Sequence, residues 1–461
     1  MRSLRTLTVL LGVLASSFLI PVPGSASKGA PPPPPEIALV GGTLVDVSDF
    51  GRSTKDVADA VVVVRGGEIV AAGPRRSVKI PAGARRLDVS GKYIVPGLID
   101  SFAALGNQSH ANAYLYMGVT SIVGVDGQPR RPALFLKADP SPRIYPLGIV
   151  GYGPKNDEFV ELGEAEMIAQ IEAAARDGAK ILLIHYPITP EGTARIVKKA
   201  RELGLGTIGE LGRTTYREAV QAGVPAFVHT SRYMLELASP EMRAAMAQEP
   251  FGAPRTEFYQ QIVHWNPDDP KLAEYASFLA ASPVVLIPTL STVYLDLPDH
   301  RNPWQEPVAK ILNPKDLYLA ANPATGQRDP VPTEASESFP AGFAESLLRI
   351  EERYRRAGVK YLTGSGTTAF GTMPGISLHT EIELLTSRVG LPPRQALAAA
   401  TSNFGAIFGW KKIGQVKAGY NADLLVLNAN PLEDIHNLKN IQTVILNGQI
   451  LDREKLLAVA H

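Results

Sequence analysis

Gly178-Ala-Lys-Ile-Leu-Leu-Ile184, Glu191-Gly-Thr-Ala-Arg-Ile-Val-Lys-Lys-Ala-Arg-Glu-Leu203 and Thr207-Ile208 follow one another in this chain. The first segment ends in a short apolar run bounded by turn residues, the pattern of a strand buried on both faces. The second places Ile196, Val197, Ala200 and Leu203 at helical spacing. The third opens another strand. Buried strand, helix and buried strand form the unit of a parallel sheet. Outward from this stretch the rhythm continues. Ile122-Val123, Ile144 to Ile149, Ala226 to His229, Val284 to Ile287 and Tyr361-Leu362 are further candidate strands. Glu164 to Asp177, Phe343 to Ala357 and Glu381 to Val389 show helical periodicity. About eight such units predict an α/β chain closed into a (β/α)8, TIM-type barrel.

The two ends read differently. Ile37-Ala-Leu-Val40, Thr43-Leu-Val-Asp46, Ala60 to Val64, Glu68 to Ala71 and Lys92 to Val95 are short strands separated by glycine-rich turns. Ala422 to Leu427 and Val444 to Leu451 repeat the pattern, with Asn447-Gly448 as a hairpin signal. Residues Pro298 to Pro340 form a long proline-rich insertion after a strand, expected above the C-terminal face of the barrel as a lid or partner surface.

A chain of 461 residues has room for one large domain and a smaller one. Lys and Arg number 46 against 45 Asp and Glu, so no global field favours nucleic acid. Arg75-Arg76 and Lys198-Lys199 read as solvated surface. Arg2 and Arg5, an apolar run from Leu7 to Ile20, and the small residues Gly24 to Ser27 predict an export signal over residues 1–27. The run is shorter than the roughly 20 residues of a spanning helix, so no stable membrane span is expected. The destination expected is the periplasm or the outside. Pro31 to Pro35 make residues 28–36 a stiff linker. There is no cysteine, hence no disulfide.

Val95-Pro-Gly-Leu-Ile-Asp100 and Gly414…Gly419…Ala422-Asp423-Leu-Leu-Val-Leu427…Asn430-Pro-Leu432 frame the chain. Gly118-Val-Thr120, Ala222-Gly-Val224 with His229, Pro288-Thr-Leu290, Pro374-Gly375 and Ala396-Leu397…Ala400-Thr401 lie between them. In order and spacing these pieces resemble the amidohydrolase superfamily, in its branch of imidazolonepropionases and related secreted enzymes. The resemblance implies a barrel over 96–409 and a composite β-sandwich from 37–95 and 410–461. It also implies metal at the C-terminal ends of the strands, where a bound water attacks an amide or related bond. The implied ligands are a His-x-His pair, a lysine, two histidines and an aspartate.

Those positions fall on Phe102, Ala104, Leu183, Glu210, His229 and Gly366. Only His229 keeps the family residue, so the family pattern of metal binding is not met. Lys180 lies near the closed end of the barrel, and His110 is too far along to substitute. One rescue remains. His185 stands two residues beyond Leu183 and so faces the same way. With Glu210 and His229, on adjacent strands, it would make a two-histidine, one-carboxylate site for a single zinc. Asp126 is then the available base. The plainer reading makes His185 a loop residue and His229 a remnant bonded to Glu210.

Ser365 beside His379 lacks a third, orienting acid, and His379 reads as structural. His264, Trp265 and Tyr259, and Tyr114 with Tyr116, are aromatic packing or pocket rim. No phosphate loop or dinucleotide fingerprint is present. Three functions follow: a non-catalytic exported barrel binding a small molecule, a peptide or a partner; a one-zinc hydrolase; or a non-catalytic subunit of an assembly with an active relative. A protein partner or a homo-oligomer is compatible with each.

Overall fold

The computed structural model describes residues 36–125, 133–152, 162–328 and 339–458. The export signal, nearly all of the linker and Asp126 lie outside them. Five strands come first: β1 (Ile37–Leu44), β2 (Val57–Arg65), β3 (Glu68–Pro74), β4 (Arg85–Asp88) and β5 (Tyr93–Pro96). Eight follow: β6 (Leu98–Ala103), β7 (Val119–Val125), β8 (Arg143–Val150), β9 (Ile181–Ile184), β10 (Gly206–Gly209), β11 (Ala226–Val228), β12 (Val285–Ile287) and β13 (Lys360–Tyr361). The last three are β14 (Leu424–Leu427), β15 (Ile441–Leu446) and β16 (Gln449–Ile450).

The end strands form one mixed sheet in the order β16-β15-β14-β5-β1-β2-β3, with β4 on β1. Its seam joins the two ends of the chain: β14 runs antiparallel to β5, Leu424 opposite Pro96 and Leu427 opposite Tyr93. Val62, Val64 and Ile94 from the first group share one core with Leu424, Val426 and Ile445 from the last.

Strands β6 to β13 are neighbours in sequence order and pair in parallel. Ser101 N donates to Thr363 O (2.9 Å) and Gly366 N to Phe102 O (2.8 Å), which returns the end of the eighth strand to the first and closes the ring. Side chains alternate across the wall, as the pleat requires. Ile181 and Leu183 face the interior with Ile208, Val228, Ile287 and Phe102. Leu182 and Ile184 face outward into the layer under the helices.

Several boundaries differ from the sequence reading, and the turn expected at Gly41-Gly42 is instead part of the single strand β1. The helix expected to start at Glu381 runs from Ile376 to Ser387, because its first turns are buried all round and show no apolar stripe. The run 444–451 divides into β15 and β16, with Asn447-Gly448 turning between them. In the proline-rich insertion, Val308, Ile311, Leu312 and Leu317 pack against Ala113, Met117 and Ile376. Among the described residues no helix is long and apolar enough to cross a membrane.

Candidate functional site

The inward parity of the strands continues past their ends. Leu183 faces the interior, so His185 does so at the barrel mouth, and Ile208 places Glu210 in the same way. Backbone bonds pin both residues: His185 N donates to Val150 O (3.1 Å) and Glu210 N to Ile184 O (2.9 Å). After β11 the chain turns sharply. His229 has φ +67° and leads into the short helix Thr230–Tyr233. Thr289, just after β12, has φ +55°. A left-handed backbone at a non-glycine residue costs about 1–3 kcal/mol, most of all for a β-branched one. The two strained residues hold each other, His229 Nδ1 lying 2.6 Å from Thr289 Oγ1. Arg232 N donates to His229 O (2.8 Å), so the same helical turn delivers the arginine.

Glu210 is the centre of the site and only 5% exposed. The Tyr186 hydroxyl donates to its Oε1. His185 Nε2 is 3.2 Å from Oε2, while His229 Nε2 and Arg232 Nε are 3.8 and 3.6 Å from Oε1. Burial alone would push this carboxyl up, but His229, His185 and Arg232 outweigh it and hold the group well below the usual carboxylate range. Burial likewise opposes the charge on Arg232, and the ionised Glu210 beside it counters that. Its Cζ lies 4.9 Å from the centre of the Tyr186 ring.

These groups form the polar floor of a pocket of about 110 Å³ that opens to solvent. Phe251, Tyr259, Phe339, Phe343 and Phe370 make its walls, and Arg255, Thr289 and Thr292 also line it. The fold therefore brings His185, Glu210 and His229 together, as the sequence suggested. One detail of the plainer reading is corrected: at 3.8 Å His229 is beyond hydrogen-bond reach of Glu210 and bonds Thr289 instead. Sequence reasoning missed Arg232, Tyr186 and the aromatic wall. The available signals were the His185-Tyr186 pair and an arginine one helical turn after His229.

The other candidates lie elsewhere. His379 is buried with Nε2 2.8 Å from Met117 O, and the Ser365 hydroxyl pairs with that of Thr367. Tyr114 bonds Ala104 O (3.0 Å). Of the aromatic group proposed for a rim, Tyr259 lines the pocket, whereas His264 and Trp265 do not.

A family model, described as the amidohydrolase family, matches residues 343–451. Ochratoxinase of Aspergillus niger is 35% identical over 95 residues, which cover 20% of this chain and 19% of that protein. Imidazolonepropionase of Rubrobacter xylanophilus is 43% identical over 54 residues, 12% of this chain and 13% of that one. The chain thus spans no more than about a fifth of the length of these curated relatives. Among solved structures, a bottromycin amidohydrolase superposes with TM-score 0.63 at 19% identity, over 91% of this chain and 88% of its own. A Xaa-Pro dipeptidase does so with TM-score 0.57 at 16% identity, over 90% of this chain and 99% of its own. The family model over residues 343–451 and the shared fold over the rest support membership of the amidohydrolase superfamily.

In this chain the residues at the metal positions do not fit the binuclear centre that the resemblance implies. Phe102, Ala104 and Leu183 are fully buried apolar side chains. The Phe102 ring meets His229 edge-on, centroids 5.2 Å apart. Gly366 has φ +66°, and a Cβ there would lie 2.5 Å from Thr292 Cγ2. The three-donor alternative meets a different obstacle. Oε1 of Glu210 already accepts from Tyr186 and faces a buried guanidinium. A dication bound to that carboxylate would be repelled by the guanidinium charge beside it. Among the described residues no group of three or more His, Asp or Glu side chains is arranged to hold a metal ion.

Proposed function

We propose that this chain is an exported amidohydrolase-fold protein whose barrel mouth binds a small molecule or a peptide end without the family's metal-assisted hydrolysis. The observation that carries the reading is Phe102, which stands where the resemblance implies a metal-binding histidine and packs its ring edge against His229. The pocket suits a ligand with a polar head and a flat apolar body. His185, Glu210, His229 and Arg232 make one end, and the Phe251, Tyr259 and Phe339 rings flank the other. The strain held at His229 and Thr289 supports a functional pocket, since backbone of this kind persists where the surroundings impose it. Export rests on the pattern of Arg2, Arg5 and Leu7 to Ile20.

The test uses the full chain purified without added metal. Elemental analysis is expected to show only trace metal, and dipeptides, N-acyl amino acids and lactams are expected to remain intact. Screening the same compounds by thermal shift should find ligands whose effect is lost in Phe251→Ala. About one equivalent of copurifying metal, with turnover abolished by a chelator, would sink this reading. That result would favour the one-zinc hydrolase, whose supporting observation is the convergence of His185, Glu210 and His229.

A further inference from the structure

Arg232 is an odd residue to find at the floor of this pocket. It is 3% exposed, yet its guanidinium makes little of its capacity to donate. Nη1 has no hydrogen-bond partner, and Nη2 reaches Pro250 O only at 3.5 Å. A buried cation with so few hydrogen bonds persists when a nearby negative charge compensates it. Among the described residues the only carboxylate in ion-pair contact with it is that of Glu210, whose Oε1 is 3.6 Å from Nε. The same carboxylate lies between two imidazole nitrogens, His185 Nε2 on Oε2 and His229 Nε2 on Oε1. Two imidazoles and one carboxylate are a donor set that zinc and similar divalent ions accept.

We infer that Arg232 is a resident cation standing in for a metal ion, and that His185, Glu210 and His229 form a latent divalent-cation site which its guanidinium keeps closed. The inference rests on the metal-free reading above and adds the cause. The guanidinium supplies the positive charge that Glu210 requires, and it does so from the last position of the helical turn that begins at His229. Charge is the operative property. A shorter cation in its place should keep the site closed, whereas a neutral side chain should open it. Neither Phe102 nor Gly366 has to change, because no donor is asked of them.

The experiment measures bound Zn²⁺ after equilibration and removal of free metal, together with the visible spectrum after Co²⁺ addition. It uses the full chain as wild type, Arg232→Lys, Arg232→Gln and the double variant Arg232→Gln/Glu210→Ala. The expected result is trace zinc in wild type and Arg232→Lys, about one equivalent in Arg232→Gln with absorption of low-symmetry Co²⁺, and loss of both in the double variant. A zinc-loaded wild type overturns this inference and the metal-free reading together. A folded Arg232→Gln that takes no zinc, beside a metal-free wild type, overturns the inference alone.

Should Arg232→Gln not fold, Glu210→Gln and Glu210→Gln/Arg232→Met are compared by denaturant unfolding without metal. If the arginine is there to balance Glu210, removing it from Glu210→Gln raises the folding equilibrium constant by about tenfold or more. No gain, or a further loss, overturns the inference.

Discussion

Raising the pH from 6.5 to 8 is expected to cost this protein about 3 kcal/mol of stability, through two carboxyls sealed beside the pocket. Glu351 is fully buried and accepts from the hydroxyls of Thr230 (2.8 Å), Tyr361 (3.0 Å) and Tyr233. Burial pushes it up to about 7, although those three donors pull the other way. Glu381 is also fully buried. Its Oε2 accepts from Ser291 N (2.7 Å), and its Oε1 has no partner. Burial pushes it up to about 8, with Glu351 and Asp100 adding to the effect.

The sign follows from proton counting. Above its ordinary value of 4.5, each glutamate keeps in the folded state a proton that the unfolded chain has released. The folded state therefore binds more protons, and stability falls as pH rises towards the folded value. Between pH 4.5 and 6.5 two histidines oppose this trend. Burial lowers His110 and His379 to about 4, so both are neutral in the fold while the unfolded chain would protonate them. The opposing slopes leave stability nearly flat there. Above pH 6.5 the histidines no longer contribute. Half a unit for Glu351 and one and a half for Glu381, at about 1.36 kcal/mol per unit, make up the loss. Urea unfolding at intervals from pH 5 to 8.5 measures it. Glu381→Gln, which mimics the protonated form, should shrink the drop to below about 1 kcal/mol. Stability that is level or rising between pH 6.5 and 8, or an undiminished drop in Glu381→Gln, would refute the reasoning.

Three further outcomes are expected. Phe102→Ala removes a ring from the barrel interior and should lower stability by about 3–5 kcal/mol, read as a lower urea midpoint at unchanged m. Gly366→Asp places a side chain at φ +66° against Thr292. It should lose about 1–3 kcal/mol in the same assay and, with Arg232 intact, bind no more zinc than wild type. Glu210→Gln strips the buried guanidinium of its carboxylate, and unfolding should show a loss of about 3–5 kcal/mol.

Much of the barrel was legible because its determinants are local. The run Ile181-Leu-Leu-Ile184 identifies a strand buried on both faces, and a period of two then orients His185 from Leu183 and Glu210 from Ile208. The helix from Ile376 was misplaced for the opposite reason: a segment buried on every side carries no stripe to read. The departures from the family's metal donors also followed from residue identity: Phe102 and Ala104 in a register held by Pro96-Gly-Leu-Ile-Asp100, Leu183 in one held by Gly178-Ala179, and Gly366 in one held by Gly364-Ser365.

What only the tertiary structure decided is how the remaining polar residues share their charge. Tyr186, Arg232 and Glu210 come from three different strand ends, and no spacing encodes an arginine 3.6 Å from a glutamate 22 positions earlier. The left-handed turn at His229, its bond to Thr289 and the Phe102 ring on its edge depend on contacts across the barrel mouth. Sequence periodicity settles which way a side chain faces, because the pleat is local. Which partner it meets, whether a carboxylate, a cation or a ring, depends on where the closing barrel brings distant strand ends together.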